Sequence, residues 1–374
     1  MSKNKCCKNK YTSIGGQALI EGIMMRGPEK SVMAVRLPDG TIGLEDVEFN
    51  SITKRNKFFA LPVIRGAVAL VESLTNGYKA LMRSADLSGM MDLEEDEKSE
   101  KTDEVDEDAP AEVEADVEEE PAEPEVESEP EVVAAEVEYL DKKVEKTETK
   151  PEKESLLSAI IGIVAMVLGI GLAVVLFFVL PTLAFNLINR LVNVDITPYR
   201  ALFEGGIKIL IFVGYMFAVS FMKDIKRVFM YHGAEHKTIF CYEKKLELTV
   251  ENVRAQSRFH PRCGTSFMIV MLIVSVLVSF LLLTFVPGVQ WLAEHYGIVW
   301  SLVRLLLMPI ICGLGYEVIR FCGKHDNILT KILSAPGVWL QHISTKEPDD
   351  SMIEVAIASL QAVLPQKEEQ VEAE

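Results

Sequence analysis

Four stretches of the chain are apolar over a length that suits a membrane-crossing helix. They are Leu156–Leu180, Gly206–Met222, Ser266–Val286 and Ile298–Phe321. Each approaches the roughly 20 residues needed to cross a bilayer. The first and third carry no charge. The second has Lys208 near one end, and the fourth carries Arg304, Glu317 and Arg320. Uniform apolarity separates the first and third from the one-sided helices of a soluble core. The pattern predicts a mainly α polytopic membrane protein with four transmembrane helices inside residues 155–345.

Ahead of these spans the pattern shortens. Ser31–Leu37 and Thr41–Phe49 read as two strands joined across Pro38-Asp39-Gly40, a β-hairpin. Gly15-Gly16 and Gly27-Pro28 read as turns. Leu61–Leu87 places Val63, Ala67, Leu70, Leu74 and Leu81 near one face of an amphipathic helix, suited to packing on the hairpin or lying in the membrane interface. Residues 14–91 therefore form a small N-terminal α+β piece. Its core is thin, so it is expected to dock on the membrane part.

Charge divides the chain further. The hydrophobic fraction is 49%, yet the formal net charge is −17. Residues 92–154 hold 29 acidic and 7 basic residues, and the remainder is net +5. Self-repulsion and few residues to bury predict a disordered acidic linker there. Residues 1–13 form a basic N-terminal tail and 346–374 a C-terminal tail. No basic patch interleaved with aromatics appears, so nucleic acid is not an expected partner; the lipid bilayer is. The six cysteines include no CxxC pair, which argues against a disulfide framework. The loop at 223–264 is rich in Lys and Arg, whereas 287–297 has neither. The positive-inside rule then puts that loop and both termini in the cytoplasm of a multi-pass cell-membrane protein.

The basic loop also holds the candidate chemistry. His232-Gly233-Ala234-Glu235-His236 reads H-x-x-E-H, which on a helix puts both imidazoles on one face, where they can chelate a divalent metal such as zinc. Glu235 is then placed to act as general base. Gly233 weakens the helical premise. His260 and Cys263 follow in His260-Pro261-Arg262-Cys263-Gly264 and complete a ligand set of His232, His236, His260 and Cys263. The bland alternatives are juxtamembrane packing for the histidines and a small buried apolar role for Cys263. Glu317 lies inside a span, where a carboxylate is expensive. It either pairs with Arg320 or reaches the loop site as an additional ligand or a partner for a ligating His. Glu21 and Arg26, set among glycines, form a weaker candidate for binding a phosphate or carboxylate, against a plain structural turn.

The stretches Gly15–Pro28, Tyr231–Thr238, His260–Phe267, Gly315-Tyr316-Glu317, Pro336–Gln341 and Glu347–Asp350 together resemble the YqhQ-like family. That is a bacterial membrane family of unknown function, described as predicted metal-dependent enzymes. The resemblance implies a multi-pass membrane protein and a family motif in His232, Glu235, His236, His260 and Cys263. It supplies no substrate.

Two functions remain open at this point. One is a metal-dependent hydrolase acting by metal-activated water at the cytoplasmic membrane surface, on a membrane peptide or a lipid-linked substrate. The other is a non-catalytic assembly factor or scaffold with a structural metal site. A transporter ranks last, since one intramembrane carboxylate makes a poor ion path.

Overall fold

The computed structural model describes residues 14–48, 57–89, 136–140 and 156–364, apart from 193, 262 and 326. Strands β1 (Gly15–Leu19), β2 (Gly22–Arg26), β3 (Ser31–Arg36), β4 (Ile42–Val47) and β5 (Val137–Tyr139) form one sheet in that order. The first four pair antiparallel, and β5 joins β4 in parallel, with Ile42 opposite Val137. The expected hairpin is β3–β4. Gly27-Pro28 lies in the expected place, in the β2–β3 turn, where the Gly27 N–H donates to the Lys30 carbonyl at 2.9 Å; Gly15-Gly16 instead opens β1 of a second hairpin, β1–β2, whose two-residue corner is Ile20-Glu21.

Helix α1 (Ile64–Leu87) follows, close to the expected Leu61–Leu87. It packs on the sheet through Ala80, which meets Leu19, Met24, Met33 and Val35. The residues alternating with these, Ile23, Met25, Val32, Ala34, Ile42 and Leu44, face the other way into the larger core. A sheet covered on both faces shows continuous apolar runs rather than alternation, as Val32–Val35 does.

The membrane part begins with α2 (Leu156–Val174), a π-helical turn at Val175–Val179, and α3 (Leu180–Leu191). Then come α4 (Arg200–Val219), α5 (Lys223–Glu243), α6 (Val250–Arg254), α7 (Thr265–Phe285), α8 (Val289–His295), α9 (Gly297–Leu306), α10 (Met308–Lys324), α11 (Ile328–Ser344) and α12 (Asp350–Val363). Met166–Leu191, Thr197–Val219 and Thr265–Phe285 are long and apolar enough to cross a membrane. The expected fourth span is broken: α9 and α10 meet at 51°, so among the described residues there are three such helices, or four if the bent pair is one span. The break precedes Pro309, which opens α10 without a backbone N–H to give.

Three further readings change. The 223–264 loop is largely helical, as α5 and α6. The region read as a C-terminal tail contains α12, capped by Asp349 accepting from the Met352 N–H at 2.9 Å. Its apolar stripe is wide enough to bury Met352, Ile353, Ala356 and Leu360 completely against β2, β3 and α5. Within the acidic linker, residues 136–140 supply β5. Its other residues, 92–135 and 141–154, lie outside the described ones, as do the basic tail 1–13 and residues 365–374.

Two cores result. One joins the sheet to α5, α6 and α12. The other joins α4, α7, α10 and α11 through Phe212, Met216, Ile269, Val274, Ile311 and Leu340.

Candidate metal centre

The H-x-x-E-H segment lies within α5, which packs on β1 and α12, so its inner face is fully buried. His232 and His236 stand one turn apart with ring centroids 4.4 Å from each other. Gly233, which propensity counts against a helix, has a packing reason. The segment leaving α11 crosses α5 there, and a Cβ on Gly233 would lie 2.0 Å from the Lys346 carbonyl oxygen. The Lys346 N–H donates to the Phe229 carbonyl at 2.8 Å on the same crossing.

Backbone carbonyls orient both rings. His232 Nδ1 lies 2.8 Å from the Ser344 carbonyl oxygen and donates to it, which leaves the Nε2 lone pair facing Cys263 Sγ at 3.1 Å. His236 Nδ1 donates to the Arg258 carbonyl at 2.5 Å. Its Nε2 is buried with no hydrogen-bond partner among the described residues. The ligand atoms of His232, His236 and Cys263 all lie within 4.8 Å of one another. Burial pushes the His236 pKa down, with Cys263 opposing, and so favours the neutral imidazole that metals bind. Two imidazole nitrogens and a sulfur suit zinc, and an ion among them would satisfy the orphaned nitrogen, so the residues fit a divalent metal.

A model of the family described as "Protein of unknown function (DUF1385)" matches residues 61–366. The chain belongs to this family. It is also similar to "Uncharacterized protein YqhQ" of Bacillus subtilis (strain 168), with 31% identity over 371 residues that cover 97% of this chain and 95% of that protein. No solved structure matches it. Family membership thus agrees with the resemblance read from the motifs and adds no activity.

Not every expected site residue joins the three donors. His260 stands beside them, its ring 5.6 Å from that of His236, but its Nε2 lies 3.7 Å from the Glu243 carboxylate. The cause is its backbone: the His260 N–H and C=O bond the Gln341 side-chain amide at 2.7 Å each, which holds the ring beside Phe240 and Glu243. Glu235 is buried under β1, where a Cβ on Gly16 would come within 2.9 Å of its Cγ, Cδ and Oε1. Burial raises its pKa, against the influence of nearby His232 and a hydrogen bond from the Gly16 backbone.

Glu317 does not reach the cluster. Both of its carboxylate oxygens are taken by Arg65 of α1, at 2.7 and 2.6 Å, so neither the expected ligand role nor the Arg320 pair describes it. Glu21, at φ 49° in the β1–β2 corner, is clasped by the Arg227 guanidinium and accepts from the Tyr231 hydroxyl at 3.2 Å. Arg26 is exposed at the far end of β2 from the Glu21 corner. Sequence reasoning missed the orienting groups, Ser344, Gln341 and Arg258. The Pro336–Gln341 stretch was the available signal for the first two, since it pointed to α11 without saying what α11 touches.

Proposed function

We propose that the protein is a membrane enzyme with a divalent metal, zinc by donor chemistry, held by His232, His236 and Cys263, and that it hydrolyses a membrane peptide or lipid-linked substrate at the cytoplasmic surface. The observation that carries this reading is the convergence of three ligand atoms within 4.8 Å, both imidazoles being set by backbone carbonyls. Three protein donors, rather than four, are the count of a centre with an open position. When bound, such an ion supplies Lewis acidity, activating water at neutral pH. His232 and His236 hold their protons on Nδ1 and present Nε2. Glu235, one residue from His236, takes up the proton in this reading. The excess of Lys and Arg in residues 223–264 supports a cytoplasmic orientation for the site.

A second reading, a structural metal clamp in a non-catalytic assembly factor, is favoured by one observation: the Glu235 carboxyl is already engaged by the Gly16 backbone. Glu235→Gln separates the two. Purified E235Q protein should keep about one equivalent of zinc by elemental analysis under both readings. Cellular function, scored by complementation of a deletion strain, is lost under the enzymatic reading and kept under the structural one. If wild-type protein holds no stoichiometric transition metal, both readings fall.

A further inference from the structure

The membrane part encloses a second site, unrelated to the histidines. A cavity of about 330 Å³ lies between the π-helical turn, α4, α7 and α10. Its walls are almost wholly apolar, with Ile170, Phe177, Phe212, Met268 and Leu272 among them, and two cations, Lys208 and Arg304, reach it. Met268 and Ser279, both on its wall, are eleven residues apart on α7. That is a length of about 17 Å, roughly half the hydrocarbon core of a bilayer.

The two cations differ in how they are used. Arg304 is committed: it pairs with Glu204, and its Nη2 donates to Thr182 Oγ1 at 2.6 Å and to the Phe178 carbonyl at 3.2 Å. That carbonyl lies in the π-helical turn, where the helical ladder is locally rearranged, and it also accepts from the Ser301 and Thr182 hydroxyls. Glu204 is shared with Arg200, which donates to it at 3.0 Å. Lys208 has no such partner. It is 6% exposed, its ammonium stands 5.4 Å from the Phe178 ring centroid, and among the described residues no oxygen accepts a hydrogen bond from it. Two guanidiniums already share Glu204, so Lys208 has no carboxylate of its own in this apolar surrounding, and holding it charged there calls for one more negative group. That is the situation proteins resolve with a counter-ion or a bound anion.

We infer that this cavity binds a long-chain carboxylate, its head on the Lys208 ammonium and its chain along the apolar wall toward Met268 and Phe212. One uncommitted ammonium matches a head of one negative charge, and a slot about one leaflet deep matches a single acyl chain.

The test uses the full chain in a neutral maltoside detergent, with equilibrium dialysis of radiolabelled palmitate and of hexadecanol, which keeps the chain and removes the charge. Saturable binding of one palmitate, at least tenfold tighter than hexadecanol, is expected. Lys208→Met should bring palmitate down to the level of hexadecanol. Equal affinity for the two probes in wild-type protein overturns the proposal, as does unchanged palmitate affinity in the K208M variant. Should K208M not fold, the wild-type comparison decides alone. Tighter retention of lysophosphatidic acid than of palmitate would overturn the choice of a carboxylate head. Leu272→Trp, which fills the slot without touching the charge, should weaken both probes together.

Discussion

Gly233→Ala tests whether the crossing segment holds the metal centre in shape. The added Cβ meets the Lys346 carbonyl oxygen at 2.0 Å, and ordinary contact begins at 3.4 Å, so the segment must move away from α5 by about 1.4 Å. The contact is backbone against backbone, and no rotamer change relieves it. A movement of that size breaks the 2.8 Å bond from the Lys346 N–H to Phe229 and, two residues back, pulls the Ser344 carbonyl from His232 Nδ1. Overpacking costs about 1–3 kcal/mol, and each buried hydrogen bond lost adds about 1 kcal/mol. The expected destabilisation is therefore about 3–5 kcal/mol. Loss of a carbonyl that orients a ligating imidazole should lower zinc affinity by about 10–100-fold. The assay is a thermal melt in detergent together with chelator-competed zinc binding. Gly206→Ala is the control: it makes the same substitution in a helix where a Cβ meets nothing within 4 Å, and its melt should match or slightly exceed wild type. A G233A protein that melts with G206A and keeps wild-type zinc affinity would refute the reasoning, and the melting arm stands even without metal.

Other expected outcomes follow from the same geometry. Cys263→Ser and His236→Ala should abolish stoichiometric zinc, whereas His260→Ala should keep it, because the His260 ring faces Glu243; elemental analysis of the three purified variants decides. Arg65→Met should leave zinc content unchanged and shift the melt little, since the Arg65–Glu317 pair is about a quarter exposed on both sides and lies away from the cluster. Leu360→Ala, at a completely buried position of α12, should cost about 2–5 kcal/mol and be visible as accelerated tryptic cleavage at the exposed Lys244-Lys245.

What the sequence made legible was whatever one local pattern encodes. Uniformly apolar windows gave the candidate membrane helices, two short strand-like runs about a Pro-Asp-Gly corner gave β3–β4, and i,i+4 spacing gave the facing imidazoles of His232 and His236. What stayed hidden depends on contacts distant in sequence. Gly16 read as a turn because glycine is permissive. Its actual role is to let β1 lie against Glu235, 219 positions away in the chain. Gly233 counted against a helix on propensity, when a crossing segment from beyond α11 selects it. The α12 stripe was lost behind the acidic residues around it. His260 looked as competent a ligand as Cys263, three residues on, and only the Gln341 amide, 81 residues away, distinguishes them. Glu317 was rightly read as a carboxylate needing a partner, but Arg65 lies 252 positions off and no spacing rule reaches it.

The centre's position bears on how it acts. His232 and His236 ride on α5, which packs mainly on the sheet core and also touches the membrane core through Phe229. Cys263 precedes α7, and the carbonyl that orients His232 ends α11, both helices of the membrane core. An ion shared by these three donors would therefore bridge the sheet core and the helical core, which also meet through Phe229, α1 on α10 and the segment crossing Gly233. A ligand that binds only the joined arrangement stabilises it by about 2.7 kcal/mol at a hundred times its dissociation constant. A bound ion would add that much to the protein contacts that already seat the sheet unit on these helices. The two functional readings thus share a physical consequence: whether or not the centre turns over a substrate, an ion bound there would tighten the hold of the sheet unit on the long apolar helices.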